Sequence, residues 1–167
     1  MDEAAIIREI LKDYVLPVRG YHGLDHWARV RENGLLIAGK VGANEDVVKL
    51  FALFHDSRRI GEQRDKGHGQ RGGELARMLR WTLFELGDQE FDLLYHACAL
   101  HTDGLTDADP TIQACWDADR LDLGRCGITV RPSLLCTDAA RRIMKWANER
   151  SLTGYVPPIV DNVWLKE

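Results

Sequence analysis

Apolar residues along the chain recur at three- and four-residue spacing, and sustained alternation of period two is absent except briefly around "CGITV" at 126–130. That pattern predicts helices throughout and an all-α domain. The stripes place helices at 2–16, 24–41, 45–56, 69–86, 89–101, 110–123 and 138–150. Their punctuation agrees: Pro17 and Gly20 stop the first, Asn44 caps the third, and Gly87-Asp88 separates the fourth from the fifth. Beyond 150, Pro157-Pro158 forbids continuous helix, yet "GYVPPIVDNVWL" is too apolar for a free linker. The expected organisation is one bundle of about six to seven helices over 1–150 and a tail, 151–167, that packs on it or serves a dimer contact.

Polar residues become informative where they fall on the apolar stripes. His26 shares a stripe with Val30, Gly34, Ile37 and Val41, and therefore points inward. His55 lies one turn beyond Phe51. Asp56 follows at the helix end, where the backbone carbonyls already make the potential negative, so a carboxylate there needs a cation to offset it. His101 continues the stripe of Leu94, Ala97 and Cys98, whereas His96 falls on another side. In "CWDADRLDLGR", Asp119 and Asp122 share a face with Cys115 and Ala118, while Asp117 groups outward with Arg120.

Any one inward histidine is more often a hydrogen-bonded core residue than a ligand. Taken together, several inward imidazoles and carboxylates in one small bundle each cost several kcal/mol if unpaired, and a shared divalent cation satisfies them at once. The nitrogen and oxygen donor set suits Mn, Fe, Co, Ni, Zn or Mg without choosing among them.

Composition narrows the classes. The chain has 167 residues, enough to bury about 70 % of the surface its unfolded form exposes, so the fold needs neither metal nor disulfide. Acidic residues precede the first apolar positions, unlike a secretory leader, and no apolar run approaches the roughly 20 residues that cross a bilayer, so a cytoplasmic protein without a membrane partner is expected. The four cysteines lack CxxC spacing and read as reduced core thiols. A net charge of −4 disfavours a stable nucleic-acid partner. Arg58, Arg59, Arg64 and Arg71 cluster locally and suit a small anion such as phosphate, helped by helix N-terminal amides near Gly69 to Gly73. A solvated basic loop is the other reading of any one of them.

His26 in "GLDHWARV", the doublet His55-Asp56 in "ALFHDSRR" and Asp119 in "DADRLD" resemble the H…HD…D signature of the HD-domain superfamily, over about residues 20 to 125. The resemblance implies an HD-type helical bundle that binds a divalent metal through His26, His55, Asp56 and Asp119. It also implies phosphohydrolase activity, often on nucleotides, through a metal-activated water. Some members of the superfamily hold a second ion with additional histidines, and His68 and His101 stand in the matching interval, so one or two ions are expected.

One departure is plain. Several nucleotide-cleaving members carry an acid three positions after the doublet for proton transfer; here Arg59 stands there, and Glu62 is the nearest substitute. The candidate catalytic residues are then Asp56, Glu62 and Asp122. Asp122 either orients a water or a ligand histidine, or caps the helix and pairs with Arg125. His22 is either a substrate contact or an exposed loop histidine. The expected protein is a monomeric or homodimeric phosphohydrolase acting on a small phosphorylated substrate. A two-iron HD-type oxygenase and a non-catalytic nucleotide-binding module are its alternatives.

Overall fold

A computed structural model describes residues 1–166. Seven α-helices account for the fold: α1 (Glu3–Leu11), α2 (Leu24–Val41), α3 (Glu45–Phe54), α4 (His68–Leu79), α5 (Asp88–Leu100), α6 (Pro110–Arg120) and α7 (Asp138–Leu152). The described residues contain no β-strand, only an isolated bridge between Arg80 and Phe84, so the domain is all-α and "CGITV" forms no strand.

Local chemistry sets the ends. Asp2 accepts the Ala5 amide to start α1, Asn44 accepts those of Asp46 and Val47 to start α3, and Asp109 with Pro110 starts α6. Gly42, at φ 71°, ends α2 in the left-handed conformation that glycine adopts without penalty. Packing of α2 on α6 runs through the middle, α3 lies along α2, and α4 pairs with α5. Trp27, Phe51, Phe54 and Trp116 fill the space between them.

Two helices are shorter than the stripes predict. α1 stops at Leu11 rather than 16, because Tyr14 turns back to pack edge-on against Trp27 and donates its hydroxyl to the His22 carbonyl at 2.8 Å. α4 stops at Leu79 rather than 86, because Trp81 adopts φ 71° and its amide donates to the Phe84 carbonyl, closing a turn. The thiol expectation is corrected as well. All four cysteines are free, but only Cys98 and Cys115 are core residues; Cys126 is exposed and Cys136 half-buried.

The tail does pack back. Val160–Trp164 forms one π-helical turn against α1, and Trp164 donates its indole N–H to Glu3 Oε2 at 3.0 Å. Glu3 also takes a paired interaction from Arg31 of α2. No helix among the described residues is long and apolar enough to cross a membrane.

Candidate metal centre

Five separate stretches of chain bring their polar residues to one buried point. α2 supplies His26, the end of α3 supplies His55 and Asp56, the first residue of α4 is His68, the end of α5 supplies His101, and α6 supplies Asp119. His26, His55, Asp56, His68 and His101 are all buried, and the Asp119 side chain retains 14 % exposure.

The back of each ring fixes its front. Nδ1 of His26 donates to Asp122 Oδ2 at 2.7 Å, and Nδ1 of His55 to the Phe51 carbonyl at 3.1 Å. In the other pair, Nδ1 of His68 donates to the Asp65 carbonyl at 2.6 Å and Nδ1 of His101 to the Cys98 carbonyl at 2.7 Å. A neutral ring with its proton on Nδ1 presents a bare lone pair at Nε2. Burial, then the charges of Arg125 and His55, hold His26 well below the ordinary imidazole value, and burial foremost pushes His101 down to about 4. Yet Nε2 of His26 faces Nε2 of His55 at 3.0 Å, and Nε2 of His68 faces Nε2 of His101 at 3.0 Å.

Two lone pairs at that separation repel unless something positive lies between them. Nitrogens held about 2.1 Å from one ion and meeting at right angles lie about 3 Å apart, so each pair has a spacing that ligation explains.

Asp56 joins the pairs. Its Oδ2 lies 3.6 Å from His26 Nε2 and 3.7 Å from His55 Nε2, while its Oδ1 lies 3.1 Å from His68 Nε2 and 3.8 Å from His101 Nε2. Oδ1 is buried and accepts no hydrogen bond from any described residue. Asp119 Oδ1 stands 3.4 Å from His26 Nε2 and 3.8 Å from His55 Nε2, completing two carboxylates and two imidazoles around the first pair. Burial pushes the Asp56 carboxyl up, but the imidazoles of His55, His22 and His68 outweigh it and hold it well below the usual carboxylate range. Asp119 is lowered in the same way, burial opposing and His55, His26 and His101 prevailing. His26, His55 and Asp56, and likewise Asp56, His68 and His101, therefore form buried groups that can hold a metal ion.

The glycines of α4 serve this convergence rather than an anion. A side chain at Gly69 would meet the Cys98 carbonyl at 2.0 Å and His101 Nδ1 at 2.8 Å, and one at Gly72 the Phe54 carbonyl at 2.0 Å. Their absence of Cβ lets α4 press against α5 and the end of α3 so that His68 reaches His101. Gly69, Gly72 and Gly73 are thus buried in helix packing, which leaves no open glycine cradle for a phosphate there.

The arginine cluster disperses. Arg58 donates to the Ile10 carbonyl at the end of α1, Arg71 grips Asp65 with both oxygens at 2.7 Å, and Arg64 is exposed. Of the four, only Arg59 is at the site, 3.5 Å from Asp56 Oδ1. His22 is buried, not an exposed loop residue: its Nδ1 donates to Asp56 Oδ2 at 2.9 Å and its Nε2 faces Glu62 Oε2 at 3.5 Å. Asp122 is buried behind His26 and accepts two hydrogen bonds from Arg29, at 2.7 and 3.0 Å. Its carboxylate lies behind the His26 ring, on Nδ1, and away from the facing Nε2 atoms.

Asp117 is also corrected. It is fully buried and accepts the Cys136 and Thr137 amides and the Thr137 hydroxyl, anchoring the start of α7, while Arg120 donates to the Leu134 and Leu105 carbonyls.

A cleft of about 1070 Å³ lies outside His22, with Arg19, Asp25, Glu62 and Arg125 in its wall. Arg125 reaches within 3.9 Å of Asp119 Oδ1. Arg19, Arg29 and Arg125 were not among the sequence candidates. Arg29 stands three residues after His26, and Arg125 three after Asp122, so helical spacing carried a signal for both. Comparison with protein-family models, curated proteins and solved structures finds no match to this chain.

Proposed function

We propose that this chain is an HD-type metal-dependent phosphohydrolase acting on a small phosphorylated substrate, a nucleotide being the first class to test. The observation that carries the reading is Asp56, one buried carboxylate turning its two oxygens to two imidazole pairs whose bare nitrogens face each other at 3.0 Å. His26, His55, Asp56 and Asp119 would hold one divalent ion, and Asp56, His68 and His101 a second. Such an ion, when bound, supplies Lewis-acid polarisation of a phosphoryl oxygen and lowers the pKa of water toward neutrality.

The chain's own residues supply the rest. Asp122 and Arg29 lock the His26 ring in the tautomer that points Nε2 at the centre. His22 spans Asp56 and Glu62, so it is placed to carry a proton between the buried centre and the cleft rim, with Glu62 taking the part of the acid missing at position 59. Arg125 and Arg19 stand in the cleft wall as the groups to meet an anionic substrate, Arg19 also pairing with Asp25 and Asp161.

Metal analysis of protein purified without chelators, followed by phosphate release from a nucleotide panel with Mn, Co, Ni and Mg, tests the proposal. Metal-free protein with full phosphatase activity would overturn it. The two extra histidines at the centre also favour a second reading, a two-iron oxygenase. Stoichiometric iron with oxygen consumption and no phosphate release would select that one.

A further inference from the structure

We infer that Arg59 sets an order of filling on the centre: its guanidinium weakens binding of a cation at Asp56, His68 and His101, so the His26 side fills first. The inference rests on the metal-centre part of the proposed function and is independent of the reaction.

Arg59 is buried, at 8 % exposure, and its place is held from behind. Nη2 donates to the Gln63 carbonyl at 2.8 Å and Nε to the Gly61 carbonyl at 3.4 Å. That loop is itself fastened by Asp65, which accepts the Ile60 amide and the Arg71 guanidinium. Nη1 then lies 3.1 Å from His68 Nε2 and 3.5 Å from His68 Nδ1. Being nearly equidistant from both nitrogens of one ring, it sits over the ring and not in line with the Nε2 lone pair. The lone pair stays open to a ligand, and so does the unpartnered Asp56 Oδ1. What Arg59 contributes is a fixed positive charge beside both.

The charge inventory makes the asymmetry large. A divalent ion on the first side meets two carboxylates, Asp56 and Asp119, with a third, Asp122, behind His26, against one guanidinium, Arg125, standing 3.9 Å from Asp119. An ion on the second side shares Asp56, finds no carboxylate of its own among the ligands, and has a guanidinium within contact distance. Like charges a few ångströms apart in a buried site, where screening is weak, repel strongly.

Titration of the metal-stripped full chain with Mn²⁺, read by calorimetry and by the EPR spectrum of bound Mn²⁺, tests this. Wild type should take up one ion tightly with an uncoupled spectrum and a second only at much higher concentration. Arg59→Met, which keeps the aliphatic stem, should bind the second ion at least about tenfold more tightly and show spin coupling. Arg59→Lys, which keeps the charge, should stay like wild type, and His101→Ala added to Arg59→Met should remove the second ion. Two ions of equal affinity in wild type would overturn the inference without any variant. So would a second affinity unchanged in Arg59→Met. Absence of any bound ion in every form would instead overturn the metal-centre reading itself.

Discussion

The two histidine pairs look alike at their tips and differ in what stands behind them. His26 stands in the first turn of α2 and is backed by a carboxylate, Asp122, itself gripped by Arg29, while its partner His55, at the end of α3, is backed by the Phe51 carbonyl. His68 and His101 sit at helix ends, backed by main-chain carbonyls only, and reach each other because Gly69 and Gly72 carry no side chain. A carboxylate behind an imidazole raises its basicity and orients it more firmly than a carbonyl does. Under the proposed metal reading His26 is therefore the best supported of the four imidazoles, whereas the second pair depends on helix packing and on the loop that holds Arg59.

Asp56→Ala strikes both pairs and should have the largest effect: loss of bound metal and a fall in activity of at least about a thousandfold, with helical circular dichroism retained. Metal content after the substitution equal to wild type would show that the pairs are merely core histidines. His26→Ala and His101→Ala separate the sides. The first should remove the tightly held ion, while the second should leave it in place, as read by elemental analysis after dialysis.

The two aspartates of α6 sharpen the contrast between site and scaffold. Asp117→Ala strands the buried Thr137 amide and the half-buried Cys136 amide and should lower unfolding free energy by about 3 kcal/mol in a urea titration, yet leave metal affinity unchanged. Asp122→Asn keeps the shape and weakens the support of His26, and should reduce metal affinity by about 10- to 100-fold.

The smallest effect is on pH. His26 and His101 have depressed values, so the unfolded chain binds more protons than the folded one between the ordinary imidazole pKa and about 4. Stability of the metal-free protein is therefore full above about pH 6.5 and falls as pH drops toward 4, by at most about 1.4 kcal/mol per pH unit for each such imidazole. Bound metal should raise stability throughout and carry that slope to lower pH, because it keeps the rings deprotonated in the folded chain. Thermal melts with and without Mn²⁺ across pH 5–8 measure it.

The residues that sequence periodicity placed inward on amphipathic helices, His26, His55, Asp119 and His101, do meet in the structure, because a stripe on a helix constrains direction. Direction was illegible where that constraint stops. Arg58, Arg59 and Arg64 follow the end of α3, and nothing in their spacing tells that one turns to α1, one to the centre and one to solvent. Arg71 lies within α4, but its partner Asp65 is in the loop before it. Asp117 was read outward on the premise of one buried face, yet α6 is covered by the chain segments at Leu105 and Leu134–Thr137 on the side where Asp117 and Arg120 point. The glycines of α4 had two physical uses, anion binding and close packing, which composition does not separate.

Glu3 links the first turn of α1 to Arg31 and to Trp164. The second of these closes a loop of 161 residues. Loop closure of that length adds little to the equilibrium cost, since the entropy grows only logarithmically, but contacts so distant in sequence form slowly. During synthesis the seat of α1 stays half-finished until position 164 has left the ribosome, so α1, which emerges ahead of the other six helices, is among the last to be secured.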